Sequence, residues 1–411
     1  MSDSNFKIET SQRIQRLPPY LFGRINKMKY EKRVAGVDII DLGMGNPTDP
    51  TPDSVVEKLA EAAKDPRNHR YSVSNGVAGL RREVAKKYRD KYGVELDPET
   101  EVIATIGSKE GFSHLCLALL GPGDTAVVPD PAFPIHLYAV AMAGANVIRV
   151  PLGNDQAFLD KIEKVIEGLY PTPKLLILNY PHNPTSMTID PEFWERAINM
   201  CRRHKVMIIS DFAYGEVCFD GYRAPSFLSA EGAKDLGVEF TTMSKSYNMA
   251  GWRVGFCCGN REMIKALATI KGYYDYGIFA PIQIASIIAM REHAETPDEQ
   301  SKIYAKRRDV VCRSLDRLGW TYDKPRASMF VWAKINPAHY KKGEDSIDFC
   351  LRMMDEAEVA LAPGRAFGEQ GEGFVRIALV ENDQRLKQAM NNLERALNPR
   401  QPKPKRQPAT A

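Results

Sequence analysis

Between residues 51 and 300 short apolar runs alternate with segments of helical periodicity. This alternation points to an α/β fold in which helices cover both faces of a mostly parallel sheet. Seven runs read as strands: 102–106, 126–129, 147–150, 175–179, 206–210, 240–243 and 254–258. A helix is expected over 53–63, where Val55, Val56, Leu59, Ala62 and Ala63 share one face. Past residue 300 a long charged helix (302–318), a strand (330–335), a helix (347–357), a strand (374–379) and a final helix predict a smaller α+β domain. The 411 residues suit two such bodies at roughly 100–200 residues per domain. The expected division is an N-terminal arm at 1–50 that supplies part of the small domain, a large domain at 51–300 and a small domain at 301–398. The basic, Pro-rich stretch 399–411 has nothing apolar to bury and is expected to be a disordered tail.

Composition serves mainly to exclude. A net charge of +4 spread over this length gives no reason to expect a nucleic-acid partner. No apolar run reads as a signal sequence or reaches about 18 residues, so a cytoplasmic protein with no membrane partner is expected. The seven cysteines form no C-x-x-C pair and the seven histidines show no ligand spacing. Neither a disulfide framework nor a metal site is suggested, and lone histidines such as His114 and His136 read as structural.

In parallel α/β sheets ligands bind at the carboxyl ends of the strands. Those positions carry Gly107-Ser108-Lys109, Asp130 to Pro134, Asn179 to Pro184, Asp211 to Tyr214, and Ser244-Lys245. Taken singly these are helix caps, turns and surface charges. Taken together they supply what pyridoxal phosphate requires. Gly107, Ser108 and Lys109 open a helix where a phosphate would bind, and Thr242, Ser244 and Arg253 around Lys245 add hydroxyl and cationic donors. Asp211 ends an apolar strand and suits a pyridinium nitrogen. Asn183 and Tyr214 can donate to the phenolic oxygen, and Phe133 can stack on the ring. Lys245, in a segment poor in other charge, can provide the amine for the aldehyde. Rival cofactors lack parts: Gly43-x-Gly45 has no third glycine, and no G-x-x-x-x-G-K-[ST] loop occurs.

At these residues the sequence resembles the fold-type I pyridoxal-phosphate aminotransferases over 14–397, through TTMSKSYNMAGWRVGF, NYPHNPT, SDFAYGE and GSKEG. The wider set, including RLPPYLF, IIDLGMGNP and ASMFVWAKI, is most similar to the bacterial glutamate-pyruvate (alanine) aminotransferases, with LL-diaminopimelate aminotransferases as cousins. The resemblance implies a homodimer in which Tyr71 reaches the partner's cofactor phosphate. It also implies that Arg376 grips the substrate α-carboxylate, with Gly45 and Asn183 lining that pocket. Phe133 departs from the tyrosine many relatives carry. In aspartate specialists an arginine from the neighbouring subunit often lies in the stretch matching 272–281, which here reads GYYDYGIFAP. The implied reaction is amino transfer between L-alanine or L-glutamate and 2-oxo acids. LL-diaminopimelate or aspartate transfer, or C–S lysis on the same fold, are the alternatives. A DNA-binding regulator with an aminotransferase-like sensor is disfavoured, because the N-terminal arm is too short for such a module and shows no helix-turn-helix pattern.

Overall fold

Strands buried on both faces need helices above and below them, and the seven-stranded sheet of the computed structural model has this arrangement. The structure describes residues 8–19 and 21–398; the tail expected at 399–411 lies outside them. The strands are β1 (Val102–Thr105), β2 (Thr125–Asp130), β3 (Asn146–Pro151), β4 (Leu175–Asn179), β5 (Met207–Asp211), β6 (Gly237–Thr242) and β7 (Gly255–Gly259). Their spatial order is β1-β7-β6-β5-β4-β2-β3. Only β7 runs antiparallel to its neighbours, β1 and β6. One apolar cluster, with Val127, Leu176, Leu178 and Ile208, lies on one face, and a second, with Ile103, Val128, Ile177 and Ile209, lies on the other. Alternate residues of the same strands thus feed opposite cores.

Several boundaries differ from the sequence reading. The strand expected at 240–243 is Gly237–Thr242, and Met243 instead opens the short helix Met243–Ser246, whose cap is Thr242 accepting from Ser244 N–H at 3.1 Å. The strand expected at 206–210 runs one residue further and ends on Asp211. On the helix Asp53–Ala63 the buried residues are Val55 and Ala62, with Leu59 packed against the same core. Val56 is 45% exposed, because one residue beyond Val55 is a rotation of about 100° around the helix. The long charged helix begins at Thr296, with Pro297 in its first turn, where Pro is pre-organised for helix.

A four-stranded sheet combines Ala362–Pro363, Phe374–Ala378, Phe330–Lys334 and Thr321–Tyr322, all antiparallel, and pairs Trp332 with Arg376. Ile40–Asp41 pairs in parallel with Val359–Ala360, which ties the early chain to these late elements. Asp49 receives two 2.7 Å hydrogen bonds from Arg307 in the long helix, closing the segment between the two sheets. Among the described residues no helix is long and apolar enough to cross a membrane.

Trp194, fully buried, packs edge-on against Phe193, Tyr180 and Phe227 and donates from Nε1 to Pro225 O at 3.1 Å. Trp194→Ala should therefore lower the unfolding free energy by about 3–5 kcal/mol. Denaturant titration checks this, and a loss under about 1 kcal/mol would mean that the helix Pro191–His204 is not packed as described.

Candidate active site

The polar residues that matter sit where β4, β5 and β6 run out. Asp211 closes β5 opposite Asn179 at the end of β4. Its Oδ2 lies 2.8 Å from Nε2 of His136, which is 2% exposed, and its Oδ1 accepts from Ala213 N–H at 3.2 Å. Asn179 donates to the Asp211 carbonyl at 2.7 Å and accepts from Asn183 N–H at 2.8 Å, so one buried amide fixes the backbone of two site residues. Sequence reasoning gave neither His136 nor Asn179 a role. The available signal for His136 was its place in an otherwise apolar helix, PIHLYAVAM, directly after Phe133. Phe133 is half-buried, with its ring edge-on to His136 at 5.8 Å.

An anion cradle forms beside this acid. Gly107 has φ +78°, which strains any other residue, and caps the helix Ser108–Leu119; a Cβ there would also lie 2.2 Å from Arg253 Nη2 and displace that guanidinium. Gly255 is required for a related reason, since a Cβ on it would meet Ser108 N at 2.4 Å. The antiparallel strand β7 can thus pass directly beneath the helix N-terminus. Arg253 lies against Gly107, donates from Nη1 to Ala250 O at 2.9 Å and acts electrostatically on Lys109, so two cations stand beside a helix N-terminus, an end whose first N–H groups suit an anion. Partial burial, then the neighbouring Arg253 charge, lowers the Lys109 pKa. Thr242 Oγ1 donates to Val254 O at 2.8 Å and lies 2.9 Å from Ser244 Oγ.

Lys245 rises from the short helix and donates to Gly45 O at 2.6 Å. Burial, then the Arg376 and Arg253 charges, brings its pKa down to about 8. A Cβ on Gly45 would lie 2.7 Å from the Phe330 ring, so that ring closes the floor of the cleft. Arg376, 4% exposed, donates to Asn183 Oδ1 at 2.7 Å and to Gly43 O at 2.8 Å and stacks 4.1 Å above Phe330. Its Nε has no partner, and among the described residues no carboxylate lies within 4.0 Å of it. Tyr214 is buried with its ring edge-on to Phe330 at 5.4 Å, and burial pushes its phenol above the usual range. Tyr71 stands outside this network, 85% exposed, its ring 4.5 Å from Tyr276.

The donor set fits pyridoxal phosphate: a glycine-capped cationic cradle for the phosphate, a histidine-held carboxylate for the ring nitrogen and a lysine of depressed pKa for the aldehyde. Comparison with known proteins agrees. The family model Aminotransferase class I and II matches residues 37–393. The glutamate-pyruvate aminotransferase AlaC of Escherichia coli is 45% identical over 93% of this chain and 92% of its own length. An LL-diaminopimelate aminotransferase of Moorella thermoacetica is 41% identical over 95% of this chain and 99% of its own. A substrate-bound BacF structure from Bacillus subtilis superposes with a TM-score of 0.87 at 33% identity, covering 95% of this chain and 98% of that one. The chain belongs to the class I and II aminotransferases; it is a transaminase of α/β fold-type I, and its cofactor is pyridoxal 5'-phosphate.

In the cofactor-free protein the Lys245 amine should be half protonated near pH 8 rather than near the ordinary 10.5, so it becomes a free nucleophile two to three decades of proton concentration earlier than an exposed lysine. Mass-spectrometric labelling of the Lys245 peptide with a reagent selective for neutral amines, followed across pH, measures this. A midpoint near 10.5 would show that the cleft does not desolvate the amine.

Proposed function

We propose that the enzyme moves amino groups between L-alanine or L-glutamate and the 2-oxo acids pyruvate and 2-oxoglutarate, acting as a cytoplasmic homodimer with shared sites. In this reading Gly107, Ser108, Lys109, Thr242, Ser244 and Arg253 hold the cofactor phosphate, and Phe133 stacks on its ring. Asn183 and Tyr214 face the phenolic oxygen, and Asp211, braced by His136, holds the proton on the ring nitrogen. Bound pyridoxal phosphate supplies an electron sink conjugated to the substrate Cα. Lys245 Nζ removes the α-proton and delivers it back on the far side of the half-reaction, a task suited to an amine near neutrality. Arg376 clamps the α-carboxylate beside Asn183 and Gly45, which orients the Cα–H bond. The proposed domains are an arm at 1–50, a large domain at 51–300 and a small domain at 301–398.

The observation that carries the substrate assignment concerns the cation nearest the tyrosine-rich segment. Lys271 is wholly buried, donating to Asp275 at 2.9 Å and to Glu110 at 3.3 Å, so it is not available to a distal substrate carboxylate. Tyr273, Tyr274 and Tyr276 remain exposed, with hydroxyls that can serve glutamate while their rings accept a methyl group. Similarity to a glutamate-pyruvate aminotransferase supports the same pair. The exposed aromatic side chains Tyr71, Tyr273, Tyr274, Tyr276 and Phe279 support subunit contact on this side of the molecule.

Lys245→Ala should abolish turnover in a folded protein that still takes up cofactor; loss of a positioned base alone removes roughly 10²–10⁴-fold. Asp211→Asn should likewise keep cofactor and lose most activity. Activity within a few-fold of wild type in either variant would overturn the assigned roles. Steady-state assays with alanine, glutamate, aspartate and LL-diaminopimelate should rank the first two well above the others, because an aspartate carboxylate lacking its cation forfeits several kcal/mol of pairing. A preference for aspartate or LL-diaminopimelate would refute the substrate assignment.

A further inference from the structure

The mechanism leaves Lys271 unused, although it is an ammonium with no solvent exposure at all. Burying such a group costs desolvation that an apolar side chain would avoid, so its partners need to be held well. Its two carboxylates, Asp275 and Glu110, come from otherwise separate parts of the chain. Each carboxylate has a second hydrogen bond back into its own segment.

Glu110 stands in the first turn of the helix Ser108–Leu119 and accepts from Ile106 N–H at 2.8 Å through its other oxygen. It thus spans the Gly107 turn and sets the angle at which that helix leaves β1. Burial works against its charge, but the adjacent His114 and Lys271 outweigh burial and hold Glu110 below its ordinary pKa. Asp275 accepts from Gly277 N–H at 2.7 Å, which folds the turn after the helix Arg261–Tyr274. At Gly277, with φ +83°, a Cβ would lie 2.4 Å from Val73 O, and the Asp275 carbonyl accepts from Ser74 Oγ at 2.7 Å. Gln283 continues the seam, donating to Ser72 Oγ at 2.9 Å and accepting from Val77 N–H at 2.7 Å. The segment carrying Tyr71 and the turn carrying Tyr276 are therefore fastened together from beneath.

We propose that Lys271 is a positioning residue with two separable outputs. Through Glu110 it sets the anion cradle of its own subunit, and through Asp275 it sets the tyrosine-bearing face, Tyr71 and 273–276, that a second copy of this chain covers. The same buried ammonium then links how firmly a subunit holds its cofactor to how firmly two subunits hold each other. This rests on the cofactor site and homodimer proposed above.

Glu110→Gln, Asp275→Asn and Lys271→Met in the full-length chain test it with two readouts: the dissociation constant for pyridoxal phosphate, and the rate of subunit exchange between tagged and untagged copies. Glu110→Gln should weaken cofactor binding by about tenfold and speed exchange by no more than about threefold, the small effect arising because Glu110 also meets His114, whose ring stacks on Tyr274. Asp275→Asn should speed exchange by about tenfold and, because Tyr71 lies on the loosened face, weaken cofactor binding by no more than about threefold. Lys271→Met should move both; should it fail to fold, the two carboxylate variants decide the matter. Glu110→Gln and Asp275→Asn moving both readouts alike, or neither, would overturn the proposal while leaving the reading of the site intact. A wild-type chain that forms no dimer, or takes up no cofactor, would instead overturn that reading and this inference together.

Discussion

A guanidinium taken out of water without an anion against it is expensive, and Arg376 is held in that condition by the fold. Its protein partners are an amide oxygen, a backbone carbonyl and two aromatic faces, Phe330 and Phe367. These groups steer the charge without pairing it, and Asp41 acts on it only from a distance, which suits the proposed role of Arg376 as the grip on a substrate carboxylate. The same charge, with Arg253, presses on Lys245 and helps draw its amine toward neutrality. Burial is the larger cause of that shift, and the Arg376 and Arg253 charges add to it. Asp211 is the counterweight, kept in place by His136 on one side and Asn179 on the other.

The sheet makes this crowding possible. Parallel strands β4, β5 and β6 all end on one side, so Asn179, Asp211 and Thr242 converge there although long crossovers, one carrying the helix Pro191–His204, separate them in sequence. The reversed strand β7 brings Gly255 under the helix that begins at Ser108, an approach that any side chain would block. Arg376 arrives from the second sheet, on a strand paired with Phe330–Lys334, so the proposed carboxylate clamp and the Lys245 amine come from different layers. Bonds such as Arg307 to Asp49 fix how those layers meet.

Much of this was legible because it lies at boundaries. Asp211, Asn183, Lys245 and Gly107 each follow an apolar run, and a polar residue placed there has few ordinary uses in a doubly covered sheet. Residues in the interiors of the longer helices are not legible in this way. His136 looks in sequence like a stray histidine and Lys271 like a cation that could serve the tyrosine-rich stretch beside it; what distinguishes them is a partner 75 residues away for the first and 161 for the second. Val56 was misassigned because a stripe drawn too wide still looks periodic, whereas the core accepts only the narrower set of Val55, Leu59 and Ala62. The strand near 240 was placed late because Gly237 and Glu239 look like strand breakers. Glu239 is in fact fully buried and satisfied by Tyr88, Ser226 and Phe227 N–H.

In the proposed reading one buried arginine, one lysine of lowered pKa and one braced aspartate turn bound pyridoxal phosphate into a reversible acceptor of amino groups from small amino acids. Mixing the yellow, cofactor-loaded protein with single amino acids and following its visible absorbance tests this without a coupled assay. L-Alanine and L-glutamate should each bleach the absorbance, and pyruvate or 2-oxoglutarate should then restore it. A spectrum unmoved by either amino acid, or bleached with no recovery on adding the 2-oxo acid, would contradict that reading.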